Sequence, residues 1–166
     1  MVAFPTPDWL DEYVKKLNES EEFEKAGKGW GVDFNGDFIF QIEDLPVDKI
    51  DVIPDEDLKK KMKSLMEEYA EGKTVYTYIG LKDGKCTGAR VIKSPGEVEV
   101  GFKLTANYDN WKKLVKGESD ATKLVLTRKM NLEGPMSTIM RYMKATQIMG
   151  KVASDVSTEF VDELVG

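Results

Sequence analysis

The sequence contains no histidine. This absence removes the commonest general base, the commonest metal ligand and every nucleophile pair in which a histidine activates a serine or a cysteine. Carboxylates, lysine and tyrosine leave other routes to catalysis, but no spacing in the sequence indicates the facing carboxylates that acid–base hydrolysis needs. We therefore predict that the protein is not an enzyme and has no catalytic residue, no metal site and no cofactor.

Cysteine is almost absent. Cys86 is the one thiol, so no intramolecular disulfide can form, and a lone cysteine usually behaves as a small apolar residue. The first seven residues lack the positive start and the apolar run of a signal peptide. No apolar stretch approaches the ~20 residues that cross a bilayer. These absences predict a soluble protein of the reducing cytoplasm.

An excess of positive charge is also missing, because 24 basic residues face 30 acidic ones and the net charge is −6. Nucleic-acid-binding proteins need a basic surface to neutralise phosphates, so nucleic acid is not an expected partner. The acidic balance weakens standing attachment to anionic membranes, although a local basic patch would permit transient membrane contact. The length of 166 residues fits one domain, residues 1–166, with enough core to enclose a cavity.

Three amphipathic helices are predicted in the first half of the chain. Thr6 and Pro7 form a capping start for a helix whose apolar stripe is Trp9, Tyr13 and Leu17. A short helix follows over residues 20–26. After an acidic loop at residues 44–56, a third helix is predicted over residues 55–70. Its stripe comprises Leu58, Met62, Leu65, Met66 and Tyr69.

The predicted strands are marked by turns and by alternation. Asn35-Gly36 predicts a hairpin between residues 32–34 and 37–42, and Asp83-Gly84 predicts another between residues 74–82 and 86–93. Residues 97–105 alternate, which predicts a strand with one buried face. That face would carry Val98, Val100, Phe102 and Leu104.

The last third of the chain returns to helices. Two short helices are predicted after residue 107, then a strand over residues 129–133, and then one long helix from Gly134-Pro135 to about Ala153. Residues 157–165 are predicted to add one or two helical turns. The whole pattern predicts an α+β fold with a five-stranded, mostly antiparallel sheet and helices that cover one face.

Methionine is concentrated in the predicted helices and in the predicted strand at residues 129–133. Six of the eight methionines are Met62, Met66, Met130, Met136, Met140 and Met143. The last helix is apolar on two sides, so it is either deeply buried or faces something besides the sheet. Flexible methionines suit surfaces that fit variable apolar shapes, but they also fill gaps in ordinary cores. Composition alone favours the core and leaves both interpretations open.

The order of elements in the second half resembles a known family. An alternating strand at residues 98–105 leads to a helix with Trp111, then to residues 117–121, and then to residues 128–134 before an apolar helix. This order is similar to the sterol carrier protein type 2 family, over residues 30–151 with an extra loop and helix at about residues 44–72. The chain departs from the family pattern at Arg128-Lys129, at Gly134-Pro135 and near Ala121.

The resemblance implies an apolar tunnel between the sheet and the helices. Members of this family bind sterols, fatty acids, fatty acyl-CoA or phospholipids and move them between membranes without a metal or cofactor. The resemblance thus implies a lipid or other apolar small molecule as the partner, and we expect a monomer or a weak homodimer. The ligand-binding wall carried over to this chain comprises Phe102, Leu104, Trp111, Leu114, Leu124, Met130, Leu132, Met136, Ile139, Met140 and Met143.

Two other functions remain open at this point. The same fold without a cavity would serve as a dimerisation or interaction module, with the helix at residues 55–70 as its surface; that helix is alternatively core packing or a lid. An enzyme acting on a lipidic substrate would need polar groups such as Tyr76, Tyr78 and Arg90 to converge on the cavity.

Overall fold

The computed structural model describes residues 1–164, which form an α+β fold. The helices are α1 (Pro7–Glu19), α2 (Glu21–Ala26), α3 (Val47–Ile50), α4 (Glu56–Tyr69), α5 (Tyr108–Val115), α6 (Ala121–Leu126), α7 (Met136–Arg141), α8 (Met143–Asp155) and α9 (Val161–Leu164). The strands are β1 (Val2–Phe4), β2 (Phe38–Glu43), β3 (Val75–Lys82), β4 (Lys85–Ile92), β5 (Phe102–Asn107), β6 (Asn131–Glu133) and β7 (Thr158–Phe160).

The main sheet has five strands in the order β4-β3-β2-β5-β6. Only β2 and β5 pair in parallel, and the other neighbours are antiparallel, which confirms the predicted mostly antiparallel sheet. A second, two-stranded sheet pairs β1 with β7 in parallel, with Val2 opposite Thr158. β1 and β7 were not predicted from the sequence, because strands of three residues carry too little alternation to be recognised.

Alternation along the strands gives the sheet two different faces. Phe38, Phe40 and Ile42 of β2 belong to the large core beneath the helices. Ile39 lies on the outer face, where it forms a separate small cluster with Tyr76 and Ile92. The large core therefore lies at the inner face, where sheet and helices meet.

The helix predictions at α1 and α4 are confirmed. The backbone N–H of Trp9 donates to Thr6 Oγ1 at 3.2 Å, which is the predicted cap of α1. In α4, Met62 and Leu65 are buried in the large core, so the apolar stripe of this helix packs within the protein. Lys61 of α4 forms an ion pair with Asp8 at 3.0 Å on the surface.

The predicted hairpin at Asn35-Gly36 is wrong. The preceding segment forms successive turns rather than a strand, and Gly29 and Gly31 adopt positive φ values of 89° and 75°. The Trp30 indole donates to the Gly36 carbonyl at 2.8 Å, and the Asp37 N–H donates to Asn35 Oδ1 at 2.9 Å. Local turns and a buried indole thus use the groups that a hairpin ladder would need.

The predicted strand at residues 97–105 begins later and is divided between two faces. β5 begins at Phe102, after a short 3₁₀ turn at Pro95–Glu97. Phe102 and Leu104 are buried in the large core, whereas Val98 and Val100 pack against the outer cluster of the sheet. The chain between Val100 and Phe102 is irregular, so the two pairs of residues lie on opposite faces of the sheet. The regular alternation in the sequence does not reveal this change of face.

The predicted long last helix is interrupted. Tyr142 separates α7 from α8 with φ −113° and ψ 30°, outside helical geometry. Its ring packs edge-on against Trp30, with 5.3 Å between ring centroids. At the end of the chain, β7 replaces part of the predicted helix at residues 157–165 and α9 supplies one helical turn; residue 165 lies outside the described part of the structure.

Candidate functional site

A pocket of about 250 Å³ lies between the inner face of the sheet and the helices α6, α7 and α8. The sheet supplies Phe38, Leu104 and Leu132, which come from the adjacent strands β2, β5 and β6. Leu104 and Leu132 are directly opposite each other in the antiparallel pair of β5 and β6. Facing side chains on one side of a sheet form a continuous apolar floor.

Three helices form the walls of the pocket. The lining residues are Ala121, Thr122, Val125 and Leu126 from α6, Met136, Ile139 and Met140 from α7, and Met143 and Thr146 from α8. The Asp120 side chain accepts from the Lys123 N–H at 2.7 Å and fixes the start of α6. Gly134 and Pro135 precede α7 and bring it back over the sheet.

The pocket opens to solvent between α6 and α7. Ile139 at its inner wall is 7% exposed, whereas Leu126 is 76%, Met136 47% and Met140 58% exposed. Large apolar side chains with this much exposure surround an entrance rather than complete a core. The pocket is therefore accessible from solvent at this edge of the sheet.

A second cavity of about 40 Å³ lies beside the pocket, toward the centre of the protein. The two voids share Phe38, Leu104, Ala121 and Thr146, so these four side chains are the partition between them. Trp111 lines the inner cavity, and its indole is held by a hydrogen bond to the Gln41 carbonyl at 3.0 Å. The continuous open tunnel implied by the family resemblance is not seen; the space is divided.

The pocket has no group that could perform acid–base chemistry. Its only polar lining residues are Thr122 and Thr146, and the Thr146 hydroxyl donates to the Tyr142 carbonyl at 3.3 Å. No lining side chain is titratable. Among residues 1–164, no group of three histidine, cysteine, aspartate or glutamate residues is placed to hold a metal ion. The lining therefore offers apolar area for burial and no charged group.

Six of the predicted ligand-binding residues line the pocket together. They are Leu104, Leu132, Met136, Ile139, Met140 and Met143. Trp111 and Leu114 line the inner cavity instead, beside Leu104. Met136, Met140 and Met143 thus lie at the pocket, whereas Met149 of α8 lines the inner cavity and Met62 of α4 is part of the ordinary core.

Three of the predicted residues line neither void. Phe102 stacks against Phe38 with 5.2 Å between ring centroids and lies 5.0 Å from the Trp30 ring. Leu124 and Met130 are buried at 2% and 3% exposure. Both residues belong to the core that supports the pocket. On the short helix α6, the Leu124 side chain points away from the side of the helix that carries Val125, which lines the pocket.

α6 contributes more to the pocket than the sequence predicted. Ala121, Thr122, Val125 and Leu126 all line the pocket, but only Leu124 was assigned to it. The signal was present in the run Leu124-Val125-Leu126, which places apolar side chains on more than one side of a short helix. Phe38 and Thr146 were also missed, because their approach to the pocket depends on tertiary packing.

The polar groups required by the enzymatic alternative lie on the other face of the sheet. The Tyr78 hydroxyl donates to Asp37 Oδ2 at 2.7 Å, and the Arg90 guanidinium is 5.8 Å from the Tyr78 ring centre. Burial and the bond to Asp37 raise the pKa of Tyr78 to about 12, so its hydroxyl is neutral near pH 7. Tyr76 belongs to the outer cluster. These residues do not converge on the pocket.

The single cysteine lies in the core. Cys86 is buried, and burial raises the pKa of its thiol, so it is not a reactive thiolate. Within residues 1–164, none of the helices combines the length and apolarity that crossing a membrane requires.

Comparison with known families gives one match. The sequence pattern of the SCP-2 sterol transfer family matches residues 49–147, which include every lining residue of the 250 Å³ pocket except Phe38. The match also includes α4. No curated protein matches the chain.

Solved structures with the same fold are found at low sequence identity. The crystal structure of sterol carrier protein 2 is 24% identical, covers 92% of this chain and 98% of its own, and has a TM-score of 0.68. The solution structure of a conserved hypothetical protein from Thermus thermophilus is 23% identical, with coverage of 96% and 93% and a TM-score of 0.68. The sterol carrier protein domain 2 of Helicoverpa armigera is 15% identical, with coverage of 91% and 95% and a TM-score of 0.51.

Proposed function

Because the chain belongs to the SCP-2 sterol transfer family, we propose that it binds the apolar part of a lipid in the 250 Å³ pocket and carries it between membranes. Family membership confirms the resemblance found in the sequence and makes lipid binding the general function. The observation that supports a ligand in this chain is the pocket itself, which is apolar, open to solvent and free of charged lining residues. The single cysteine favours a cytoplasmic carrier.

The proposed ligand is a lipid with a flexible acyl chain. A volume of about 250 Å³ is below the roughly 300–1,000 Å³ of pockets that enclose a whole drug-sized molecule. A linear chain can insert its end into such a space, whereas a rigid, wide ring system needs the whole volume at once. Met136, Met140 and Met143 have flexible side chains that can follow the shape of such a chain.

The head group of this ligand would remain at the entrance. The pocket lining offers no charged partner, and burying an unpaired charge is strongly unfavourable. Leu104 and Leu132 would contact the inserted chain from the sheet, and Ile139 from α7. Trp111 and Leu114 would contact only a chain long enough to displace the partition and enter the inner cavity.

A variant that fills the pocket tests this proposal. Val125→Trp places a large ring in the lining, and room for at least two methylene groups would be lost. At about 0.8 kcal/mol per buried methylene, we expect the affinity for a fluorescent fatty acid to fall by at least about tenfold. Displacement by unlabelled fatty acids, together with mass spectrometry of lipids extracted from the purified protein, would identify the natural ligand class.

Lys113→Trp is the matched control, because Lys113 is exposed on α5 and lines neither void. We expect this variant to bind the fatty acid as the unmodified protein does. Circular dichroism and a thermal unfolding curve would establish that both variants are folded. Equal binding by Val125→Trp, or an unmodified protein that neither carries nor takes up an apolar ligand, would contradict the proposal.

A further inference from the structure

The entrance of the pocket is an exposed apolar surface. Six large hydrophobic side chains among residues 1–164 are exposed, and three of them, Leu126, Met136 and Met140, line this one pocket. Apolar groups gathered at one place on a surface indicate a contact with another molecule or with a membrane. We call the surface formed by Leu126, Met136 and Met140 the entrance patch.

Positive charge is concentrated around the entrance patch. Residues 118–144 contain five basic and three acidic residues, a net charge of +2 within a chain whose net charge is −6. Each of the basic residues is exposed and lies within three positions of a lining residue along the chain. They are Lys123, Arg128, Lys129, Arg141 and Lys144.

These basic side chains have no acidic partner in the described structure. Glu133 lies 3.7 Å from Lys103, and none of the five basic residues forms an ion pair with another residue up to position 164. Arg141 lies 5.5 Å from the centre of the Tyr142 ring. The ring is uncharged, so this contact does not neutralise the positive charge of Arg141. The positive field around the entrance patch is therefore available to an anionic surface.

We propose that the entrance patch and its five basic residues dock the protein on an anionic lipid bilayer, so that the pocket opens directly onto the membrane. This inference rests on the proposed function, since it names the partner of the same pocket. The apolar side chains would enter the boundary between head groups and acyl chains, while the basic residues contact lipid phosphates and carboxylates.

Charge decides between a bilayer and a second copy of the chain. Two copies joined through the entrance patch would bring two segments of net charge +2 together, and this repulsion opposes dimerisation. An anionic bilayer has the complementary charge. Contact at the entrance also lets an acyl chain pass from bilayer to pocket without crossing water, where its exposure costs about 0.8 kcal/mol per methylene.

The charge requirement is tested by flotation with vesicles of phosphatidylcholine alone or mixed with phosphatidylserine. We expect the unmodified protein to float with the mixed vesicles only, and to be released by added salt. The double variant Arg128→Glu with Lys129→Glu should bind these vesicles at least about tenfold more weakly, because each basic residue near the surface contributes about 1 kcal/mol. The matched control is Lys49→Glu with Lys60→Glu, in which both lysines are exposed on α3 and α4 and free of ion pairs with described residues.

The apolar requirement is tested with Leu126→Ser. We expect this change to weaken binding to the mixed vesicles, since an inserted leucine contributes about 1.5–3 kcal/mol when fully buried. Val52→Ser is the control, because Val52 is 59% exposed and lines no part of the pocket. Loss of binding in the two controls instead of the two entrance variants would place the membrane surface elsewhere and overturn the proposal.

Two further measurements separate the possible failures. Uptake of an uncharged fluorescent long-chain alcohol in buffer without vesicles should be unchanged in the Arg128→Glu, Lys129→Glu variant. If the unmodified protein binds vesicles but takes up no ligand, the proposed function fails and the docking surface stands. Sedimentation analysis addresses the alternative partner. A dimer that Leu126→Ser dissociates, with no vesicle binding, would show that the entrance patch joins two copies and would refute the docking proposal.

Discussion

Gly134 determines how closely α7 approaches the sheet. Its φ of +131° lies in the region that disfavours side chains, and a Cβ atom there would be 2.5 Å from Phe102 Cδ1 and 2.8 Å from the Gly101 carbonyl oxygen. The chain therefore passes directly over β5 before α7 begins. This close passage places Met136 and Ile139 of α7 opposite the floor of the pocket.

Replacing Gly134 by alanine should strain the backbone and displace Phe102. We expect Gly134→Ala to lower the free energy of unfolding by about 1–3 kcal/mol, as measured by urea denaturation. Gly96→Ala is the control, because the atom nearest to its Cβ would be Ser94 Oγ at 3.9 Å and its φ is not positive. Equal stability of the two variants would show that the passage over β5 is not tight.

Tyr78 on the outer face gives a prediction for alkaline pH. Burial and the hydrogen bond to Asp37 raise its pKa to about 12, whereas an unfolded tyrosine ionises at about 10. The stabilisation is complete below pH 10 and is lost as the pH rises through about 12, because the unfolded state releases this proton first. Stability measured by urea denaturation should therefore fall less steeply over this pH range in Tyr78→Phe. Parallel pH profiles of the two proteins would contradict this assignment.

The interruption between α7 and α8 is the main feature at the scale of elements. A continuous apolar pattern predicts one helix, but the Tyr142 ring packs against Trp30 and lies 6.3 Å from the Phe34 ring. These contacts hold the backbone of Tyr142 out of helical geometry. As a result α7 is a separate short element that forms one side of the pocket entrance.

Tyr142→Leu removes these aromatic contacts and supplies a residue that favours helix. Each aromatic pair is worth about 0.5–1.5 kcal/mol, so we expect this variant to lose about 1–3 kcal/mol of unfolding free energy. Tyr142→Phe keeps both rings in contact, and its hydroxyl has no hydrogen-bond partner to lose among the described residues, so it should unfold like the unmodified protein. A stable Tyr142→Leu variant would mean that the ring contacts do not cause the break.

At the scale of the whole molecule, ligand binding and stability are linked. The pocket is bounded by β2, β5, β6, α6, α7 and α8, so a bound chain connects elements that are distant in sequence. A ligand that binds only the folded state raises its stability in proportion to the logarithm of the ligand concentration.

Thermal unfolding measures this linkage. At a fatty acid concentration of about 100 times Kd, the added stability is about 2.7 kcal/mol, which corresponds to a rise in Tm of about 5–10 °C for a chain of this size. Val125→Trp, which we expect to bind at least about tenfold more weakly, should lose at least about half of this rise, while Lys113→Trp should retain it. An equal shift in both variants would show that the fatty acid binds outside the pocket.

The sequence predicted the fold class largely through its helix caps and its β-hairpin of β3 and β4. Thr6, Asp83-Gly84 and the stripe of α4 act through neighbours a few residues away, and each was confirmed. The hairpin predicted at Asn35-Gly36 does not form, although this dipeptide is the same kind of local signal. The Trp30 indole donates to the Gly36 carbonyl, which is then not available for pairing between strands. The predicted ligand-binding residue Leu124 lies in the core, whereas its neighbour Val125 lines the pocket. Only the orientation of α6 in the fold decides this difference.

The sequence by itself determined the α+β class, the absence of histidine chemistry and the apolar, methionine-rich character of the last third of the chain. Those properties follow from residue type and from spacing over a few positions. Only the tertiary structure decided which apolar residues face a pocket and which fill the core, because both kinds avoid water and carry the same pattern. It also decided that the entrance lies between α6 and α7, where Leu126 and Met140 stay exposed because no other element covers them among residues 1–164.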